Sequence, residues 1–117
     1  HNRGSALGHL SKFTEAIASF DKALEIDPQD AQTWNDRAHA LLKLKRWSEA
    51  IESWDKAIDI YPNFYQFWYN RGYALEKSGR TEESIASYEK ALQIQPDVLS
   101  INNRYSKLLE KMTNLDR

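Results

Sequence analysis

An all-α fold of antiparallel helix pairs is predicted by three observations. The chain of 117 residues repeats itself at a step of 34, first as RGSAL (Arg3 to Leu7), RAHAL (Arg37 to Leu41) and RGYAL (Arg71 to Leu75). EAIASFDKAL (Glu15 to Leu24), EAIESWDKAI (Glu49 to Ile58) and ESIASYEKAL (Glu83 to Leu92) keep the same step. Apolar residues recur at helical spacing, as in Ala16, Ile17, Phe20, Ala23 and Leu24, and no apolar run has the period of a strand. Pro28, Pro62 and Pro96 close each repeat, because proline lacks the amide hydrogen and restricts the residue before it.

The elements follow in order within one domain, residues 1–117. The first repeat, 1–30, lacks the Trp that opens the others and reads as N-terminally truncated. The second covers 31–64 and the third 65–97, each holding two helices, with the breaks placed at Ser11, Ser48 and the pair Ser78-Gly79. Gly4, Ala38 and Gly72, facing Ala16, Ala50 and Ser84, mark where paired helices approach closely. Phe20, Trp54 and Tyr88 are the rings expected to fill the space beside them. Beyond Pro96, the stripe Val98, Ile101, Tyr105, Leu108, Leu109 and Met112 predicts a further helix over 98–113. LEK at 109–111 matches LEK at 75–77, which puts Asn102 in the place of Trp34 and Trp68 and makes this segment a capping helix.

These residues resemble the tetratricopeptide repeat family, whose 34-residue pattern runs Trp, Leu-Gly, Tyr, Ala, an aromatic and a closing Pro. The second repeat supplies Trp34, Ala38, Leu41, Ala50, Trp54, Ala57 and Pro62, and the third Trp68, Gly72, Leu75, Ser84, Tyr88, Ala91 and Pro96. The first gives Gly4, Leu7, Ala16, Phe20, Ala23 and Pro28. Arg3, Arg37 and Arg71 depart from the family's usual Leu, and Ser84 from its Ala; the arginines are expected to pair with acids on the preceding repeat's second helix. The resemblance implies a right-handed superhelix of stacked helix pairs, with the first helix of each pair lining a concave groove.

Charge and composition exclude other classes. Sixteen Lys and Arg against 17 Asp and Glu leave a net charge of −1, no basic excess for nucleic acid or an anionic membrane surface. With no Cys and three His, neither a disulfide framework nor a metal site is expected. No apolar stretch approaches the roughly 20 residues that cross a bilayer, so a cytoplasmic location is the expectation.

Residues 63–73, NFYQFWYNRGY, hold six aromatic rings in eleven positions. Helical projection at about 100° per residue sends Phe64, Phe67 and Trp68 to the core and leaves Tyr69 and Tyr73 as surface rings. The same face carries Gln66, Asn70 and Lys77 there, Gln32, Asn35, Asp36, His39 and Lys43 in the second repeat, and Asn2, Ser5 and His9 in the first. The candidate groove residues are therefore Asn2, Ser5, Asn35, Asp36, His39, Tyr69, Asn70, Tyr73 and Lys77, a set suited to hydrogen-bonding an extended backbone and stacking on its side chains. Some members of the family hold acidic chaperone tails with a clamp of Lys, Arg and Asn. The matching places here are His1, Ser5, Asp36, Gln66 and Asn70, so the cationic arms are missing and a neutral or basic ligand is expected.

Asp36 and His39 share a helix face at the spacing of a carboxylate-oriented histidine. No nucleophile elbow, phosphate loop or H-E-x-x-H motif accompanies them, and a solvated surface pair is the preferred reading. The sequence thus points to a non-enzymatic, cofactor-free module that binds a peptide or helix of a protein partner in its groove, as a monomer or weak self-associator. The alternative is a structural spacer or self-association segment of a larger, possibly enzymatic, parent.

Overall fold

The computed structural model describes residues 2–115, and the side chains of residues 12–112. It has six helices and, among the described residues, no strand: α1 (Asn2–Ile26), α2 (Ala31–Lys43), α3 (Trp47–Ile60), α4 (Tyr65–Lys77), α5 (Thr81–Ile94) and α6 (Leu99–Leu115). They group into two compact units, His1–Tyr61 and Pro62–Arg117. No helix is long and apolar enough to cross a membrane among the described residues.

In the N-terminal unit, α2 packs on both α1 and α3. Asp30 caps α2, its carboxylate accepting from the Thr33 hydroxyl at 2.8 Å and from the Thr33 N–H at 3.4 Å. The indole of Trp34 donates to the Pro28 carbonyl at 2.9 Å and so ties the helix start to the proline turn before it. Ala38, Leu41, Ala50, Trp54 and Ala57 are fully buried between α2 and α3. The close approach expected from small residues is thus present, with Trp54 filling the space beside it. Arg37 bridges α1 and α3: its Nε meets Asp21 at 2.7 Å and its Nη1 the buried Ser53 hydroxyl at 2.5 Å. That is the stacking contact expected of this arginine.

The C-terminal unit packs α5 against α4 and α6. Gly72 lies under the Tyr88 ring so tightly that an added Cβ would stand 2.7 Å from Cδ1 and Cε1. The hydroxyl of buried Ser84 donates to the Gly72 carbonyl at 2.7 Å, which gives Ser a partner where the family has Ala. Arg71 repeats the Arg37 contact by donating to Ser87 at 2.5 Å. On α6, Ile101 and Leu108 are buried, and Val98, Tyr105 and Met112 pack partly against the same cluster. Trp68 donates to the Pro62 carbonyl at 2.9 Å and Asn102 to the Pro96 carbonyl at 3.0 Å. Asn102 therefore does for α6 what the two tryptophans do for α2 and α4, without a ring to bury.

Five expectations are corrected. The break placed at Ser48 falls instead at Lys45, whose φ of 61° is left-handed and which stands one step of 34 before Gly79 at φ 85°. Ser48 lies inside α3. The break placed at Ser11 is absent, and α1 runs unbroken from Asn2 to Ile26. Ser11 stands one further step before Lys45 and, unlike it, continues the helix. Phe64, expected in the core, is 43 % exposed because it precedes α4 as the residue before its first turn, and it stacks on buried Phe67 with centroids 4.5 Å apart. Trp68 is half-buried, held at its edge by the Pro62 carbonyl. Leu109, assigned to the apolar stripe of α6, is 39 % exposed because Leu108 takes the inward position.

Candidate functional site

Of the nine candidate groove residues, Asn2 and Ser5 lie outside the residues whose side chains are described. Asn35, Asp36 and His39 sit half-buried on α2; Tyr69, Asn70 and Tyr73 sit half-buried on α4, followed by exposed Lys77. The two groups belong to different compact units and are described separately.

On α2, Asn35 has a structural task. Its Oδ1 accepts the indole N–H of Trp54 at 2.8 Å, satisfying the polar edge of a fully buried ring. His39 meets the same ring edge-on, with centroids 5.4 Å apart. Burial pulls its pKa below the ordinary value, Asp36 opposes that shift and Lys43 adds to it, so the imidazole is neutral at neutral pH. Asp36 accepts from Gln32 Nε2 at 3.1 Å, one turn away on the same helix. Asp36, His39, Ala40 and Lys43 form one wall of a cleft of about 310 Å³, and Phe13, Ala16 and Phe20 of α1 form the other.

On α4, Tyr69 is a half-buried ring with partners from two other helices. It packs against Tyr88 with centroids 5.7 Å apart, and its hydroxyl accepts from Arg104 Nε at 3.1 Å. Arg104 comes from α6 and lies 4.8 Å from the centroid of Tyr73, while Lys77 Nζ approaches the same ring at 5.3 Å. Behind them Glu76 accepts from the Tyr88 hydroxyl at 2.9 Å and faces Arg104 Nη1 at 3.4 Å. Burial, followed by that bond to Glu76, pushes the Tyr88 phenol far above its usual range, so it acts as a fixed donor. The result is an amphipathic surface of two tyrosines flanked by two cations. Glu76 provides one neutralising carboxylate.

Arg104 is the residue of this surface that reading the face of each helix missed. The signal was available: the LEK register that aligns α6 with α4 puts Arg104 one step of 34 after Asn70, on the face already singled out. Taking α6 only as a cap hid that consequence.

The comparisons agree with this architecture. A tetratricopeptide repeat model matches residues 35–98 and a TPR repeat model residues 4–45. No curated protein matches the chain. Among solved structures, the first TPR of Spaghetti (RPAP3) bound to the HSP90 peptide SRMEEVD superposes with a TM-score of 0.82 at 23 % identity, over 96 % of this chain and 89 % of that one. The second TPR domain of human RPAP3, in complex with the HSP70 peptide SGPTIEEVD, gives 0.78 at 24 % identity over 92 % and 89 %. MamA gives 0.83 at 21 % identity over 86 % of this chain and 59 % of its own. At these identities the solved structures establish the fold. With a family model spanning more than half of its length, the chain belongs to the tetratricopeptide repeat family.

Proposed function

We propose that the chain is a protein-interaction module that acts by binding, and that it takes a peptide segment of a partner protein on the Tyr69, Tyr73, Lys77 and Arg104 surface of its C-terminal unit. The observation that carries this reading is the Tyr73 ring approached by both Arg104 and Lys77. A ring of that kind offers a flat apolar contact at low entropy cost, and the cations beside it offer charge-assisted donors to a carboxylate. Asn70, on the same face, adds an amide for a peptide backbone.

This reading revises the ligand charge expected from sequence. The preference for a neutral or basic peptide rested on the missing cationic arms and on Asp36, which belongs to the other unit; the C-terminal surface carries two cations, Arg104 and Lys77, against Glu76. A segment with at least one carboxylate suits it better. The peptides held by the two RPAP3 domains are acidic, which supports the class of ligand.

Calorimetry with SRMEEVD, and with the same heptapeptide after its acidic side chains are changed to amides, tests the proposal. The acidic form is expected to bind at least several-fold tighter, with affinity falling as salt rises. Arg104→Gln should weaken it by about tenfold, the equivalent of roughly 1.4 kcal/mol. Equal affinity for both peptides, or no change in Arg104→Gln, would overturn the proposal and favour the spacer reading.

A further inference from the structure

The Ala16, Ser19 and Phe20 face of α1 is a docking surface for a helix, and we propose that its occupant is the RGSAL helix of a second copy of this chain. Three positions show that the face is less covered than its two counterparts. Ala50, Ser53 and Trp54 on α3, and Ser84, Ser87 and Tyr88 on α5, are all 0 % exposed. Their counterparts one and two steps of 34 earlier are not: Ala16 and Phe20 are half-buried and Ser19 is exposed. Ala16 and Phe20 instead line the cleft of about 310 Å³ beside α2.

What covers the two buried faces is known residue by residue. RAHAL on α2 covers one, with Arg37 on Ser53, and RGYAL on α4 covers the other, with Arg71 on Ser87 and Gly72 under Tyr88. The first repeat carries the matching segment, RGSAL at 3–7, with Arg3 in register for Ser19 and Gly4 in register for Phe20. Within one chain the two halves do not meet. Gly4 and Phe20 lie on the same unbroken helix, 16 residues apart, which at a rise of 1.5 Å per residue is about 24 Å. Two copies whose first helices run antiparallel to each other satisfy both faces at once, each RGSAL segment lying on the partner's Ala16 to Phe20 face. This is an exchange of identical elements about a two-fold axis, in which the contact is the one already formed twice within the chain.

The absence of Cys makes the test direct. Ser5→Cys chains are mixed with Ser19→Cys chains and joined by a short bismaleimide, and light scattering is recorded over a range of concentrations. The expected result is a dimer whose cross-link joins the two different chains, and a roughly tenfold weaker dimer in Phe20→Asp, where a charge would be buried at the contact. Three results would each overturn the proposal. One is a strictly monomeric chain in which the Ser5→Cys, Ser19→Cys double variant links within itself at high dilution, meaning that RGSAL folds back at Ser11. Another is a monomer with no cross-link at any concentration. The third is a dimer unaffected by Phe20→Asp.

Discussion

Replacing Trp54 by Ala is expected to be among the most damaging single changes in the N-terminal unit. The ring is fully buried, its N–H is bonded to Asn35 at 2.8 Å, and His39 meets it edge-on. Truncating a buried aromatic costs about 3–5 kcal/mol through lost transfer energy and the cavity left behind. The orphaned Asn35 acceptor adds about 1 kcal/mol, the low end of the range for such groups, because Asn35 is only half-buried and water reaches it. A total of about 4–6 kcal/mol corresponds to a fall in melting temperature of roughly 15 °C or more in a chain of this size. Trp54→Phe separates the two contributions: it keeps most of the ring and loses the hydrogen bond, for about 1–2 kcal/mol. Denaturant unfolding followed by circular dichroism checks both. If Trp54→Ala unfolded within about 1 kcal/mol of the parent, the placement of this ring at the centre of the α2/α3 contact would be refuted. If Trp54→Phe were as damaging as Ala, the division between ring burial and hydrogen bond would fall.

Lys45→Gly should raise stability by up to about 1 kcal/mol, since a left-handed φ of 61° strains a residue with a Cβ more than it strains Gly; a lower melting temperature would show that the Lys side chain contributes something unseen. Gly72→Ala should destabilise by about 1 kcal/mol, because contact at 2.7 Å with the Tyr88 ring outweighs the gain in helix propensity, and adding Tyr88→Leu should remove most of that penalty in a double-mutant cycle. Stability should also fall as pH drops below about 6.5. His39 has a depressed pKa in the folded state, so the unfolded chain takes up the proton first; His39→Gln should flatten the denaturation free energy between pH 7 and 5.

Much of the fold was legible because its determinants are periodic. The 34-residue step located the prolines, the buried Ala50, Trp54, Ser84 and Tyr88, and even the equivalence of Asn102 with Trp34 and Trp68, later seen as a shared bond to a proline carbonyl. Local punctuation was less reliable. Ser48 looked like a break and is helical, while Lys45, with no compositional mark of a turn, takes the left-handed backbone because closing α2 on α3 demands it. The reach of a helix also depends on what packs against it: Ser11 has the register of a turn but lies within a continuous α1. At the candidate site the failure was tertiary. Helical projection treats each helix alone, so it did not anticipate the contacts that Tyr69, Tyr73 and Asn35 make with other helices. Arg104 reaches the tyrosines from α6, and the Trp54 indole engages Asn35 from α3.

The proposed landing place of a partner peptide is the tyrosine and arginine surface of the C-terminal unit. The most direct measurement is a backbone amide NMR titration of the isotopically labelled chain with the acidic heptapeptide SRMEEVD. Saturable shifts are expected to concentrate on Tyr69, Asn70, Tyr73, Lys77 and Arg104, and to disappear in Tyr73→Ala while that variant keeps the parent's melting temperature to within a few degrees. Shifts centred on Asp36 and His39 of α2, or a Tyr73→Ala chain that binds like the parent, would contradict it.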